Sequence, residues 1–208
     1  MKGQFLPYAD ENPTSSTPYL TYMLIGLNVF VFVFSLFNYD YIISTFGFTP
    51  AEFSLLTVFT SMFLHGGIDH IFGNMLFLFI FGDNIEDKFG KAGFIAFYLL
   101  AGVAATLAHY ITNIGSVIPA IGASGAISGV LGAYLAFYPH ARVHVASRGG
   151  TGAVPAYVML VIWFIIQLVF GAVSFLGPSG SGIAFWAHVG GFVFGYVVGK
   201  AYGILAKH

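Results

Sequence analysis

Hydrophobic positions in this chain run in long continuous stretches rather than alternating at a period of two. Six such windows, at about 19–37, 65–82, 93–113, 119–138, 155–175 and 183–204, approach the roughly 20 apolar residues an α-helix needs to cross a bilayer. Membrane barrel strands alternate apolar and polar positions over about ten residues, a pattern these runs lack. The expected fold is therefore an all-α polytopic membrane protein, a six-transmembrane-helix bundle. Residues 1–18 are left as a short N-terminal tail and 205–208 as a C-terminal end. The second window is the least regular, because His65, Asp69, His70 and Asn74 fall in its first half.

Two connections depart from the simple pattern. Residues 38–64 are rich in Phe and Leu but broken by Pro50 and Glu52, which predicts a structure lying in the membrane interface rather than spanning it. Gly177-Pro-Ser-Gly-Ser-Gly182 predicts a flexible loop between the last two spans. The basic residues orient the bundle. Lys2, Lys88, Lys91, Arg142, Arg148, Lys200 and Lys207 are all seven of the Lys and Arg residues; six fall in the tails and connections on one side, and Lys200 lies at the same end of the sixth window. The opposite connections carry only Asp40 and Glu52. By the positive-inside rule both termini are expected in the cytoplasm, in a cell inner (plasma) membrane. The N-terminus lacks the apolar core of a signal peptide, so the first span is expected to act as its own insertion signal.

Composition agrees with this pattern. Of 208 residues, 58% are hydrophobic and 7% charged, against the ~25% charge of a soluble domain. The absence of Cys excludes disulfides, thiolate metal sites and cysteine catalysis. A net charge of −1 argues against a nucleic-acid partner. No His-Glu-x-x-His zinc helix occurs. His140 and His144 share a loop with Arg142 and read as part of a solvated basic connection; His109 reads as a structural hydrogen bonder.

The polar residues left inside the apolar windows carry the chemistry. Ser124 lies about five residues into the fourth window and His188 about five into the sixth; His70 and Asn74 lie in the first half of the second. At 1.5 Å per residue, all four are expected on the order of 7–14 Å below the same ends of their helices. A serine hydroxyl is a weak nucleophile until a base takes its proton, and a neutral imidazole is suited to do so. The last three windows contain no Asp or Glu to orient that imidazole, which points to a Ser–His dyad. Oxyanion donors are available from His70, Asn74 and the Ser124 backbone N–H. Glycines at 125, 129 and 132 and at 191, 195, 199 and 203 offer small-residue faces that let two helix backbones approach closely.

Gly122-Ala-Ser124-Gly125, His188-Val-Gly-Gly191-Phe-Val-Phe-Gly195 and His65…His70-Ile-Phe-Gly-Asn74 together resemble the rhomboid family of intramembrane serine proteases, over nearly the whole chain. The resemblance implies a rhomboid-like bundle with Ser124 as nucleophile and His188 as general base and acid. His70, Asn74 and the Ser124 N–H would form the oxyanion hole, with no cofactor. It implies single-span membrane proteins as substrates, cut near the outer end of their transmembrane segment, and a gate formed by the fifth helix and the loop after it. Glu86 matches an acidic position after the family's second helix. Two positions depart from the pattern. Glu52-Phe53-Ser54 stands where a Trp-Arg pair is often found, and Ser128 stands where an aromatic often packs on the catalytic histidine. Two rival readings remain: a catalytically inactive rhomboid-like protein that binds membrane clients, and a small transporter or channel.

Overall fold

The structure, a computed structural model, describes residues 6–147, 149–176 and 182–205. Seven α-helices account for most of it: α1 (Tyr19–Ser35), α2 (Tyr39–Phe46), α3 (Leu55–Thr60), α4 (Ile68–Thr112), α5 (Ser124–Phe137), α6 (Ala156–Val173) and α7 (Phe185–Leu205). By length and composition, two helical stretches are long and apolar enough to cross a membrane, Ile68–Thr112 and Ala156–Leu176. The first is two helices in series. Gly90 sits inside it at φ 69° and ψ 169°, a backbone that breaks the helix and favours glycine. Residues 68–89 and 91–112 are each long enough for a hydrocarbon core of ~30 Å.

The remaining helices are shorter or less hydrophobic for identifiable reasons. α7 carries five glycines, His188 and Lys200, which dilute its hydropathy. α5 has 14 residues, about 21 Å of helix, because it begins only at Ser124. The expectation that the serine lies several residues into its helix is therefore corrected. The chain before it is held extended by an antiparallel bridge between Phe48 and Ala120 and is turned by Gly122 at φ 128°.

α5 is the centre of the molecule. Every residue from Gly125 to Tyr134 is buried, and α4 and α7 flank it. A helix apolar on all sides needs this central position. The glycine faces make the close packing possible. A side chain on Gly191 would fall onto the carbonyl oxygen of Gly125, and one on Gly195 onto that of Gly129. Gly132 meets the backbone of Phe192 in the same way. Gly203, the last of the series, makes only ordinary contact, 3.9 Å to Phe137.

The expectation of an all-α protein is corrected by a three-stranded antiparallel sheet in the order β1 (Leu6–Asp10), β2 (Arg142–Ser147), β3 (Gly150–Pro155). The connection between α5 and α6, expected as a solvated loop, is the β2–β3 hairpin. The stretch 6–10 of the expected N-terminal tail is its third strand. The cause is local: Val143 and Val145 alternate with Arg142, His144 and Ala146, and both valines are buried. His144 Nε2 of β2 lies 3.2 Å from Glu11, the residue after β1, while His140 packs on Tyr157. No cluster of three or more metal-ligating side chains occurs among the described residues.

The same end of the bundle is tied together by carboxylates. Glu86, almost fully buried, accepts from the Thr21 N–H at 2.7 Å, the Thr21 hydroxyl at 2.8 Å and the Leu20 N–H at 3.1 Å. It therefore satisfies the free N–H groups at the start of α1, where a negative charge also suits the helix dipole. Lys91 closes the arrangement at 2.5 Å from Glu86. Asp10 accepts from the Tyr134 hydroxyl at 2.6 Å, fastening the sheet to α5. The four described Lys and Arg residues, Lys88, Lys91, Arg142 and Lys200, all gather at this end, opposite Ser124. Lys2, Arg148, Lys207 and the loop at 177–181 lie outside the described residues.

Candidate active site

Ser124 opens α5, so its N–H and those just after it have no partner within the helix and present a positive dipole end. His188 lies in the first turn of α7. The glycine contacts between α5 and α7 set these two helix starts side by side. The resulting distance between His188 Nε2 and Ser124 Oγ is 2.7 Å.

His70 and Asn74 come from the first turns of α4, one helical turn apart on the same face. Gly66 donates its backbone N–H to His70 Nδ1 at 3.2 Å. A neutral imidazole accepting at Nδ1 carries its proton on Nε2, so the second ring nitrogen is a donor. That nitrogen faces Gly122: a side chain there would begin 2.8 Å from His70 Nε2 and 3.6 Å from Ser124 Oγ. Glycine at 122 thus keeps His70 and Ser124 open to one shared space. Asn74 is buried, and its side-chain Nδ2 has no hydrogen-bond partner. A cavity of about 700 Å³ joins these groups, lined by His70, Asn74, Ser124, Ser128, Trp163 and His188 among others. The arrangement holds a hydroxyl, an imidazole against it, and unspent N–H donors around one cavity.

All four side chains singled out from the sequence therefore meet. His65, beside His70 with ring centroids 5.1 Å apart, is fully buried behind it. His109 bonds Asn113, the residue that caps its own helix, and lies outside that cavity.

Both departures from the family pattern have structural answers. Ser128 turns its hydroxyl back onto the Ser124 carbonyl at 2.6 Å, and the aromatic ring on His188 comes from Trp163 of α6, 5.9 Å away. Phe48 and Phe53 of the first connection form an edge-to-face cluster with Tyr110 of α4, with centroids 5.2–6.3 Å apart. That cluster, the Phe48–Ala120 bridge and a bond from Gly122 N–H to the Ser61 carbonyl at 2.9 Å pin the strand leading to Ser124. Sequence reasoning missed Gln167, whose Oε1 lies 2.8 Å from His188 Nδ1. It also missed Trp163 and Gly66. A lone Gln within an apolar window was the available signal.

A family model described as the Rhomboid domain matches residues 52–204. Rhomboid protease GluP of Bacillus subtilis (strain 168) is 34% identical over 146 residues, 70% of this chain and 25% of that protein. Rhomboid protein 1, mitochondrial, of Saccharomyces cerevisiae is 29% identical over 141 residues, 60% of this chain and 38% of that protein. Presenilin-associated rhomboid-like protein, mitochondrial, of Bos taurus is 37% identical over 87 residues, 41% of this chain and 23% of that protein. The matches thus span well under half the length of each of these relatives.

Proposed function

The chain belongs to the rhomboid family, and from that premise we propose that it is an intramembrane serine endopeptidase working through Ser124 and His188. The observation that carries this reading is the 2.7 Å separation of Ser124 Oγ and His188 Nε2. At that distance the imidazole takes the hydroxyl proton as Oγ attacks the scissile carbonyl carbon. The carbonyl oxygen becomes an oxyanion, received by the Ser124 N–H, His70 Nε2–H and Asn74 Nδ2. The unpartnered Asn74 amide supports that role, since an unsatisfied buried donor is stabilised by an incoming acceptor. As the intermediate collapses, the C–N bond breaks and His188 gives its proton to the leaving amine. An acyl ester remains on Ser124. Water, deprotonated by His188, attacks this ester, releases the carboxylate product and restores the serine. The residues alone account for every proton, and no cofactor enters the scheme.

Six membrane crossings are proposed: α1, the two halves of α4, α5, α6 and α7. The clustering of described cations opposite Ser124 supports cytoplasmic termini in a plasma membrane, with the site toward the outer face. Substrates would then be single-span proteins cut near the outer end of their membrane segment, where their helix must unwind locally to expose a peptide bond. The test is cleavage of a single-span substrate by purified protein in detergent, comparing wild type with Ser124→Ala and His188→Ala. The proposal expects wild-type cleavage and a loss of at least about a thousandfold in either variant. Cleavage that survives Ser124→Ala would remove the assignment. A folded wild type that binds the substrate without cutting it would favour a client-binding role.

A further inference from the structure

We propose that Gln167 is a positioning residue for His188, fixing which ring nitrogen faces Ser124, and that it couples the site to the seating of α6. This rests on the Ser124–His188 chemistry proposed above. Gln167 is one of only four buried residues of α6, with Ala156, Leu160 and Gly171. Leu160, Gln167 and Gly171 are spaced seven and four apart and so form one stripe against the bundle. A polar amide in the buried stripe of an apolar helix carries a desolvation cost unless it is bonded.

The amide meets His188, with Gln167 Oε1 2.8 Å from Nδ1. Oε1 is an acceptor only, so Nδ1 must be the protonated nitrogen. Nε2 then keeps its lone pair, the form required to accept the Ser124 hydroxyl proton. An imidazole without such a partner divides between two tautomers, one of which turns an N–H toward Ser124 and cannot act as base. A carboxylate would also fix the ring, but would place a charge within an apolar bundle; the neutral amide orients without one. Trp163, one turn before Gln167 on the same helix, packs its ring against that of the histidine, with centroids 5.9 Å apart. Both supports of His188 therefore travel with α6.

Two readouts on the full-length protein test this. The first is kinetic, with Gln167→Met, which keeps length and volume but removes the acceptor, and Gln167→Glu, which restores an acceptor. Gln167→Met is expected to lower kcat on the order of tenfold or more with KM within about twofold, and Gln167→Glu to recover much of the loss. The second is the ¹⁵N spectrum of histidine-labelled protein, with His188 assigned by difference against His188→Asn. Wild type is expected to carry the proton on Nδ1 alone, and Gln167→Met to show it shared between both nitrogens. An unchanged spectrum in Gln167→Met, or a kcat equal to wild type, overturns the proposal. So does a Gln167→Glu protein no better than Gln167→Met. If wild type fails to cleave, or Ser124→Ala still cleaves, the protease reading fails instead, and the tautomer spectrum alone decides the role of Gln167.

Discussion

At the scale of single residues, Gly122 constrains the site more tightly than the side chains that give it its chemistry. Its φ of 128° is strained for any other residue, and a Cβ would lie 2.8 Å from His70 Nε2. Gly122→Ala is expected to reduce stability by about 1–3 kcal/mol and to reduce turnover more steeply than stability, because a Cβ there pushes His70 away from its proposed oxyanion position. Thermal unfolding and cleavage rates on the same preparation check this. That Ser124, His188, His70 and Asn74 lie around one cavity could be expected from the sequence, because polar groups within apolar windows stand out. Gln167 and Trp163 were not legible there, since their contacts with His188 exist only once α6 packs on α7. Nor was the use of Ser128, whose hydroxyl bonds the Ser124 carbonyl behind it.

At the scale of elements, the α5–α7 contact determines the distance between Ser124 and His188. It is a backbone-to-backbone contact, so one methyl group in the wrong place separates the helices. Gly195→Ala would set its Cβ against the Gly129 carbonyl. It is expected to lose roughly 1–3 kcal/mol or more of stability, along with activity. Gly203→Ala, with 3.9 Å to its nearest neighbour, is expected to be neutral or up to about 1 kcal/mol stabilising, through helix propensity. Thermal melts of both variants in one detergent distinguish this account from a general intolerance of Gly→Ala in α7. The helical elements could be read from continuous apolar runs. The sheet could not, because the strand pattern of Arg142–Ser147 is only six residues long and its partner Leu6–Asp10 lies far away in sequence. The start of α5 was misplaced for a related reason. The apolar residues before Ser124 extend the window without being helical, held as strand by Phe48 and Ser61.

At the scale of the whole molecule, one end collects the described cations, the sheet and the Glu86 anchor of α1, and the other holds the cavity. That polarity supports a single orientation in the membrane. The absence of Cys from the sequence makes it directly measurable with single introduced thiols. In right-side-out vesicles, a membrane-impermeant maleimide is expected to label Val117→Cys, near the Ser124 end. It should reach Gly149→Cys, in the β2–β3 turn, only after permeabilisation. The reverse pattern would invert the topology, and labelling of both in sealed vesicles would contradict a spanning bundle.

In the proposed mechanism Ser124 is a nucleophile because His188 activates it. The most direct measurement is reaction of the purified protein with a fluorophosphonate, with the adduct located by peptide mass spectrometry. One stoichiometric adduct is expected on Ser124, absent in Ser124→Ala and slowed on the order of a hundredfold or more in His188→Ala. Failure of Ser124 to react in a folded, monodisperse preparation would contradict it, as would labelling that proceeds equally well without His188.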